Sequence, residues 1–351
     1  MVGPQAAAVP VAATSFETWC RFLELAGEAW LTTALDWRFR ELGIAEAVPE
    51  DARTYAEGAA ELGRIRTRRQ CRQIRDLAAL LNQTGLRPIL LKGSAAHVTG
   101  LYPDPGARVC SDIDILLPAA EISTAVALLG QNGYAPGPGV HGQGVADPRH
   151  APRLFHPAAL FGVEIHHDLA DRSHRAVLPA AEAIRGAMPL EIDGVSVSVL
   201  RLDHRVVHCL LHLLEDNFYN GTIALRQLLE LRQLARGLSD PAWIGIAQRF
   251  HDAGAEADLE YGLLLASRLA GMPLPALRYR PQARLRAAIA ATLFISAPGI
   301  AAVYGTARNV VLTLRRQGLP QTLRNVGHDG KPLRRGITTI RAVCRKSHQL
   351  S

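Results

Sequence analysis

Apolar positions along the chain change period three times. From Phe16 to Leu42, Trp19, Phe22, Leu23, Ala26, Trp30, Ala34 and Trp37 recur at three- and four-residue steps. From Tyr55 to Leu81, Leu62, Ile65, Ile74, Leu77, Leu80 and Leu81 continue the pattern. That spacing lines up one helix face, so it predicts two long helices with the Trp19, Trp30 and Trp37 stripe packed in a core. At Gly85 the texture changes. Pro88 to Leu91 reads as a short buried strand closed by Lys92-Gly93-Ser94, with a short helix over Ala95 to Leu101. Val109 to Leu117 alternates polar and apolar, a second strand; Ala119 to Asn132 is helical; Leu160 to His166 is a third strand. Leu190 to Leu200 reads as a hairpin about Asp193-Gly194, a favoured two-residue turn. Beyond Asp203 the helical period returns over Asp203 to Leu214, Ile223 to Leu234, Pro241 to Ala253 and Ala255 to Leu269, with a break from Pro273 to Pro281.

The layout is therefore helices, then a compact α/β core, then helices. The expected divisions are an N-terminal helical region over 1–84, the core over 85–200, a helical domain over 201–306 and a basic tail over 307–351. Between the second and third strands, Ala135 to Pro157 holds five prolines and four glycines. It reads as a long loop, and loops of that length commonly carry function.

Charge sharpens this division. The net charge of +7 over 351 residues is unevenly placed. Residues 308–346 contain ten Lys or Arg and one acid, Asp329, whereas residues 1–300 hold 29 basic and 31 acidic side chains. A body so near neutrality does not track nucleic acid over its whole surface, but the tail suits an anionic partner. Lysine is rare: Lys331 and Lys346 lie in the tail, and Lys92 stands alone in the first 330 residues. The five cysteines show no CxxC spacing, so neither a disulfide framework nor a zinc ribbon is expected, and the cytoplasm is the expected compartment. Met1 to Ser15 has no basic n-region and reads as a loose leader. Ala287 to Tyr304 is 18 residues without a charge, but it is alanine-rich and interrupted by Pro298-Gly299, so a buried helix is expected there and no membrane span.

The chemistry-bearing residues cluster in the core. On a strand, residues i and i+2 share a face, so Asp112 and Asp114 set two carboxylates side by side while Ile113 and Ile115 turn inward. Adjacent carboxylates repel, and a divalent cation between them relieves the repulsion. Hard oxygen ligands suit magnesium, which commonly completes its shell with water and substrate phosphates. Glu164, in Val163-Glu164-Ile165-His166, is a third carboxylate on the third strand, and His166 shares its face. Gly93-Ser94 after a strand allows close approach of a phosphate, while Lys92 and Arg108 offer positive charge to it. His204, His208 and His212 share a helix face, but three histidines spread over two turns do not converge on one ion.

The run Leu90-Leu91-Lys92-Gly93-Ser94, Tyr102-Pro103, Arg108, Ser111-Asp112-Ile113-Asp114-Ile115-Leu116 and Val163-Glu164-Ile165-His166-His167-Asp168-Leu169 resembles a bacterial family of uncharacterised nucleotidyltransferases within the polymerase β-like superfamily. His212 and Leu225-Arg226-Gln227-Leu228-Leu229-Glu230 continue the resemblance, with Glu230 where the family has aspartate, so it spans about Leu80 to Leu234. Seventeen residues separate Ser94 from Asp112, a longer interval than in compact members of the superfamily; it contains Tyr102-Pro103-Asp104-Pro105-Gly106, a rigid turn.

The resemblance implies an α/β (α+β) fold with a small mixed-sheet nucleotidyltransferase core flanked by helical regions. It implies that Asp112, Asp114 and Glu164 hold magnesium in a two-metal site and that Glu164 activates the acceptor. Lys92, Gly93, Ser94, Arg108 and His166 would bind the nucleoside triphosphate. The implied reaction moves a nucleotidyl group, AMP from ATP, to a hydroxyl of an acceptor of unknown identity, a peptide or a small molecule. Two other readings remain open on the residues. One is kinase-like phosphoryl transfer on the same site. The other is a non-catalytic binding module whose basic tail contacts RNA, a membrane or an acidic partner.

Overall fold

The computed structural model describes residues 11, 13–137, 149–171, 174–220 and 223–296. The basic tail and Pro298-Gly299 lie outside the described residues. The described residues within 1–168 and 180–201 form one compact unit, and those within 169–179 and 202–351 form another.

The first unit opens with helix α1 (Phe16–Glu28), whose N-terminus is capped by the Ser15 hydroxyl accepting from the Thr18 N–H. The apolar period runs on through Trp37, but the helix does not. Trp30 adopts φ +59°, in the left-handed region, and a 3₁₀ turn (Thr32–Ala34) leads into a separate helix α2 (Leu35–Glu41). The expected continuous helix over Phe16 to Leu42 is thus bent back on itself. Trp19 and Phe39 meet edge to face at 6.1 Å inside a small core with Ala52 and Ala56, while Trp30 is left half-exposed. The predicted second helix is α3 (Glu50–Asn82), 33 residues long.

The sheet follows: β1 (Ile89–Leu90), α4 (Lys92–Val98), β2 (Asp112–Leu116), α5 (Ile122–Gln131), β3 (Ala135–Pro136), β4 (Leu154–Phe155), β5 (Gly162–His166), α6 (Ala180–Arg185), β6 (Met188–Ile192) and β7 (Val195–Val199). These seven strands form one mixed sheet in the order β3-β4-β5-β2-β1-β7-β6. β2 runs parallel to β5 and antiparallel to β1, and β1 runs parallel to β7. The hairpin turn has Asp193 and Gly194 both at positive φ, as a two-residue turn matching strand twist requires.

Helix α3 fixes this sheet from one side. Ile74, Leu77, Ala78 and Leu81 pack against Ile113, Ile115, Val163 and Ile165, all essentially without exposure. Its polar side chains reach strand backbone: Gln70 Nε2 donates to Asp112 O at 2.6 Å, Gln73 brackets Phe161 through both its amide atoms, and Asn82 Nδ2 donates to Ser196 O at 3.0 Å. These bonds satisfy carbonyls that the short strands leave unpaired, and they lock the register of three strands to one helix. The turn expected at Tyr102 to Gly106 is a 3₁₀ segment (Pro105–Ala107) clamped on the same helix: Arg64 pairs with Asp104 at 2.8 Å, and a Cβ on Gly63 would lie 2.4 Å from Gly106 O.

The second unit contains α7 (Leu202–Asn220), α8 (Leu225–Ala235), α9 (Asp240–Asp252), α10 (Glu256–Ala270) and α11 (Pro281–Ser296). Its core is Val206, Val207, Leu210, Leu228, Leu231, Leu263 and Leu265. Gly262 lets α10 approach α7, since a Cβ there would stand 2.9 Å from Leu210 Cδ2. Among the described residues no helix is long and apolar enough to cross a membrane.

Within this unit the buried His174 ring lies between two carboxylates, 3.5 Å from Asp171 Oδ1 and 3.4 Å from Asp258 Oδ2. Burial lowers its pKa, but the two carboxylates outweigh burial and push it up to about 9. The unfolded ring titrates near ~6.5. The folded value lies above the unfolded one, so this stabilisation is full below ~6.5 and is lost as pH rises through about 9. Thermal unfolding followed between pH 6 and 10 should therefore show a declining midpoint that His174→Gln flattens. Equal slopes in the two proteins would count against this assignment.

Candidate functional site

The parallel register of β2 and β5 sets Asp114 directly beside Glu164, and Asp112 opposite Gly162. Asp112, Asp114, Glu164 and His166 thus project from one face, as alternation predicts, with Ile113, Val163 and Ile165 in the core on the other. Asp114, Glu164 and His166 are buried, and Asp112 is half-buried.

Positive groups converge on these carboxylates. Lys92 Nζ donates to Asp114 Oδ1 at 2.8 Å, and His166 Nε2 lies 2.9 Å from the same oxygen and 3.6 Å from Glu164 Oε2. Arg153 spans the remaining pair: Nη2 donates to Asp112 Oδ2 at 2.7 Å and also to Glu164 Oε1, which accepts from Nε at 2.7 Å. The electrostatics follow this partition. Burial raises the proton affinity of Asp114, but Lys92 and His166 overcome it and hold the carboxyl well below the ordinary range. For Glu164 burial again opposes, and His166, Lys92 and Arg153 bring its pKa down. Asp112 goes the other way, raised by burial and by its two carboxylate neighbours despite Arg153. For Lys92, burial pulls the pKa down and the facing carboxylates more than reverse it.

Lys92-Gly93-Ser94 is expected to close the first strand ahead of a helix that begins at Ala95. Instead it forms the first turn of α4, entered through Lys92 at φ +46°. A lysine in the left-handed region carries strain of about 1–2 kcal/mol, and this turn carries the Lys92 side chain whose Nζ bonds Asp114. Gly93 is required sterically: a Cβ there would sit 2.1 Å from Cys110 Sγ and 3.5 Å from Arg108 Cζ. Arg108 is buried, its guanidinium donating to Val109 O at 2.6 Å. Cys110 Sγ lies 3.3 Å from His97 Nε2 behind this turn. The Ser94 Oγ is buried and makes no hydrogen bond among the described residues.

This donor set fits a hard divalent cation. Asp114, Glu164 and His166 offer ligand atoms within 4.8 Å of one another, Asp112 flanks them on the same face, and the Ser94 hydroxyl is an unspent polar group in the adjoining turn. The structure brings Lys92, Asp112, Asp114, Glu164 and His166 together, and sets Gly93 against Arg108. His212 belongs to the second unit, where it hydrogen-bonds the Gln227 side chain next to the buried Glu230. Sequence reasoning missed two residues. Arg153 sits in the proline-rich interval read as loop, immediately before the two-residue β4, and nothing in its neighbours marks it. His150, bridged to His166 and set edge-on to its ring with centroids 5.0 Å apart, comes from the same interval.

The family described as "Uncharacterised nucleotidyltransferase" matches residues 16–271. No curated protein matches the chain. Among solved structures, an antigenic nucleotidyltransferase-like protein from Paracoccidioides brasiliensis is similar at 13% identity with a TM-score of 0.34, covering 54% of this chain and 91% of that one.

The Gly93 contact gives a direct test of the turn. Gly93→Ala should destabilise the fold by about 1–3 kcal/mol through overpacking. In a Cys110→Ala background, which removes the clashing sulfur, most of that loss should disappear. Urea unfolding of the four proteins measures it, and an undiminished loss in the double variant would refute the contact.

Proposed function

The chain belongs to the uncharacterised nucleotidyltransferase family, and from that premise we propose that it transfers a nucleotidyl group, AMP from ATP, to an acceptor hydroxyl on a small molecule or peptide. The observation that carries this reading is the trio of carboxylates on one sheet face, Asp112 and Asp114 on β2 with Glu164 alongside on β5. Asp112, Asp114 and Glu164 would hold magnesium, as a pair of ions when nucleotide is present. When bound, magnesium supplies positive charge to the triphosphate and lowers the pKa of the acceptor hydroxyl.

The chain's own groups do the rest. Asp114 and Glu164, both shifted toward the ionised form, are available as ligands at neutral pH. Glu164 receives the acceptor's proton. The Ser94 hydroxyl, in the turn that Gly93 packs against Cys110, donates to a phosphate, and Arg108 and Lys92 organise charge around it, with His166 orienting Asp114. The attacking oxygen forms a bond to the α-phosphorus as the bond to the pyrophosphate oxygen breaks, and pyrophosphate leaves in line. Positioning and charge neutralisation account for the acceleration. The arginine-rich tail over 308–346 supplies a docking arm for an anionic acceptor.

Asp112→Asn combined with Asp114→Asn should abolish transfer while leaving circular dichroism unchanged. The assay is magnesium-dependent pyrophosphate release together with the mass of candidate acceptors after incubation with each nucleoside triphosphate. Full activity in the double variant, or ADP as the product, would overturn the proposal. Truncation after residue 306 should change acceptor use and weaken its salt dependence while sparing ATP binding. ATP binding lost with the tail would instead assign that charge to the nucleotide.

A further inference from the structure

Arg153 is held more deliberately than a surface arginine. Its stem crosses β5 over Gly162, where a Cβ would stand 2.9 Å from Arg153 Cδ and 3.1 Å from Cγ. Gly162 is the β5 residue directly opposite Asp112, so the missing side chain leaves room for the arginine stem, and beside it the Phe155 ring, next to the carboxylates. At its end the guanidinium takes Asp112 Oδ2 and Glu164 Oε1 together. Those are the carboxylates at the two ends of the trio, and a second divalent ion held between them would draw on the same two negative charges. Two cations packed against one carboxylate pair repel each other, so the guanidinium and such an ion compete.

Lys92 and Arg153 differ in freedom. The Lys92 side chain is 21% exposed and held through a strained backbone, whereas that of Arg153 is 36% exposed and its head stands at the edge of the site. Arg153 can therefore turn outward without unpacking the core. The planar fork that spans two carboxylates also matches a phosphate in bidentate geometry, which a lysine does not.

Resting on the nucleotidyltransferase reading, we propose that Arg153 is an internal counter-cation that competes with divalent metal for Asp112 and Glu164, and that it passes to the phosphate oxygens when metal and triphosphate enter together. In the nucleotide-free protein it neutralises two carboxylates that would otherwise repel. On binding, metal takes over those oxygens, and the freed guanidinium meets the new negative charge at the same place. The exchange keeps the buried face near electrical balance throughout, which a low-dielectric site demands. Arg153 thereby ties metal binding to nucleotide binding, making free metal a poor ligand and the metal–nucleotide complex a good one.

The test is Mn²⁺ binding to nucleotide-free protein, by calorimetry and by the paramagnetic resonance of unbound Mn²⁺. Arg153→Met should bind Mn²⁺ about tenfold more tightly than the natural protein, the worth of one charge-assisted bond to a competitor. At saturating Mn²⁺ the same variant should bind a non-hydrolysable ATP analogue about tenfold more weakly, for the same reason. Arg153→Lys, which keeps the charge but not the fork, should fall between for Mn²⁺, and it serves if the methionine variant does not fold. Unchanged or weaker Mn²⁺ binding in a folded variant, with Asp114→Asn abolishing uptake, would overturn this inference alone. Unchanged analogue affinity would overturn the transfer to phosphate. No Mn²⁺ uptake by any of the proteins would overturn the inference and the metal-dependent reading together.

Discussion

Three carboxylates on neighbouring strands of one buried sheet face repel each other, and much of the first unit answers that repulsion. Asp114 lies beside Glu164 in register, with Asp112 two residues along the same strand. Left alone, burial and mutual charge would favour their protonated forms. Lys92, His166 and Arg153 hold two of the three in the opposite state, and Asp112, furthest from Lys92's direct bond, keeps the raised proton affinity. The strained turn at Lys92 and the glycine at 162 both follow from bringing cations within reach of this face.

The face is only as exact as the register of β2 on β5, and these strands are five residues each. Helix α3 supplies what so short a sheet cannot. Its apolar side packs on the sheet's inner face, and Gln70 and Gln73 bond the backbone at the head of each strand. A one-residue slip would exchange the carboxylates with Ile113 and Ile165 and bury the wrong set. The long N-terminal helix thus belongs functionally to the core that the sequence pattern separates from it at residue 84.

Periodicity made the carboxylate face legible in the sequence. Alternation in Asp112 to Leu116 and in Val163 to His166 is enough to place Asp112, Asp114, Glu164 and His166 on one side, and the scarcity of lysine marks Lys92. What escaped depended on backbone states or distant pairings that side-chain pattern does not record. Trp30 and Lys92 take positive φ without being glycine, so the apolar period runs through the first break and the strand-end pattern through the second. Arg153 reaches its partners through a two-residue strand paired antiparallel to β5, and proline dominates the text around it.

Gly162 and Arg153 also constrain how such a chain can change over generations. A side chain at 162 would meet two neighbours, the arginine's methylenes and the Phe155 ring, whose Cε1 would stand 3.0 Å from its Cβ. A lineage that loses the arginine therefore relieves only part of the restraint on position 162, and the glycine should persist for as long as Phe155 keeps its place. Restoring the arginine then takes a single change, so its loss stays reversible in any descendant that retains Gly162 and Phe155 together.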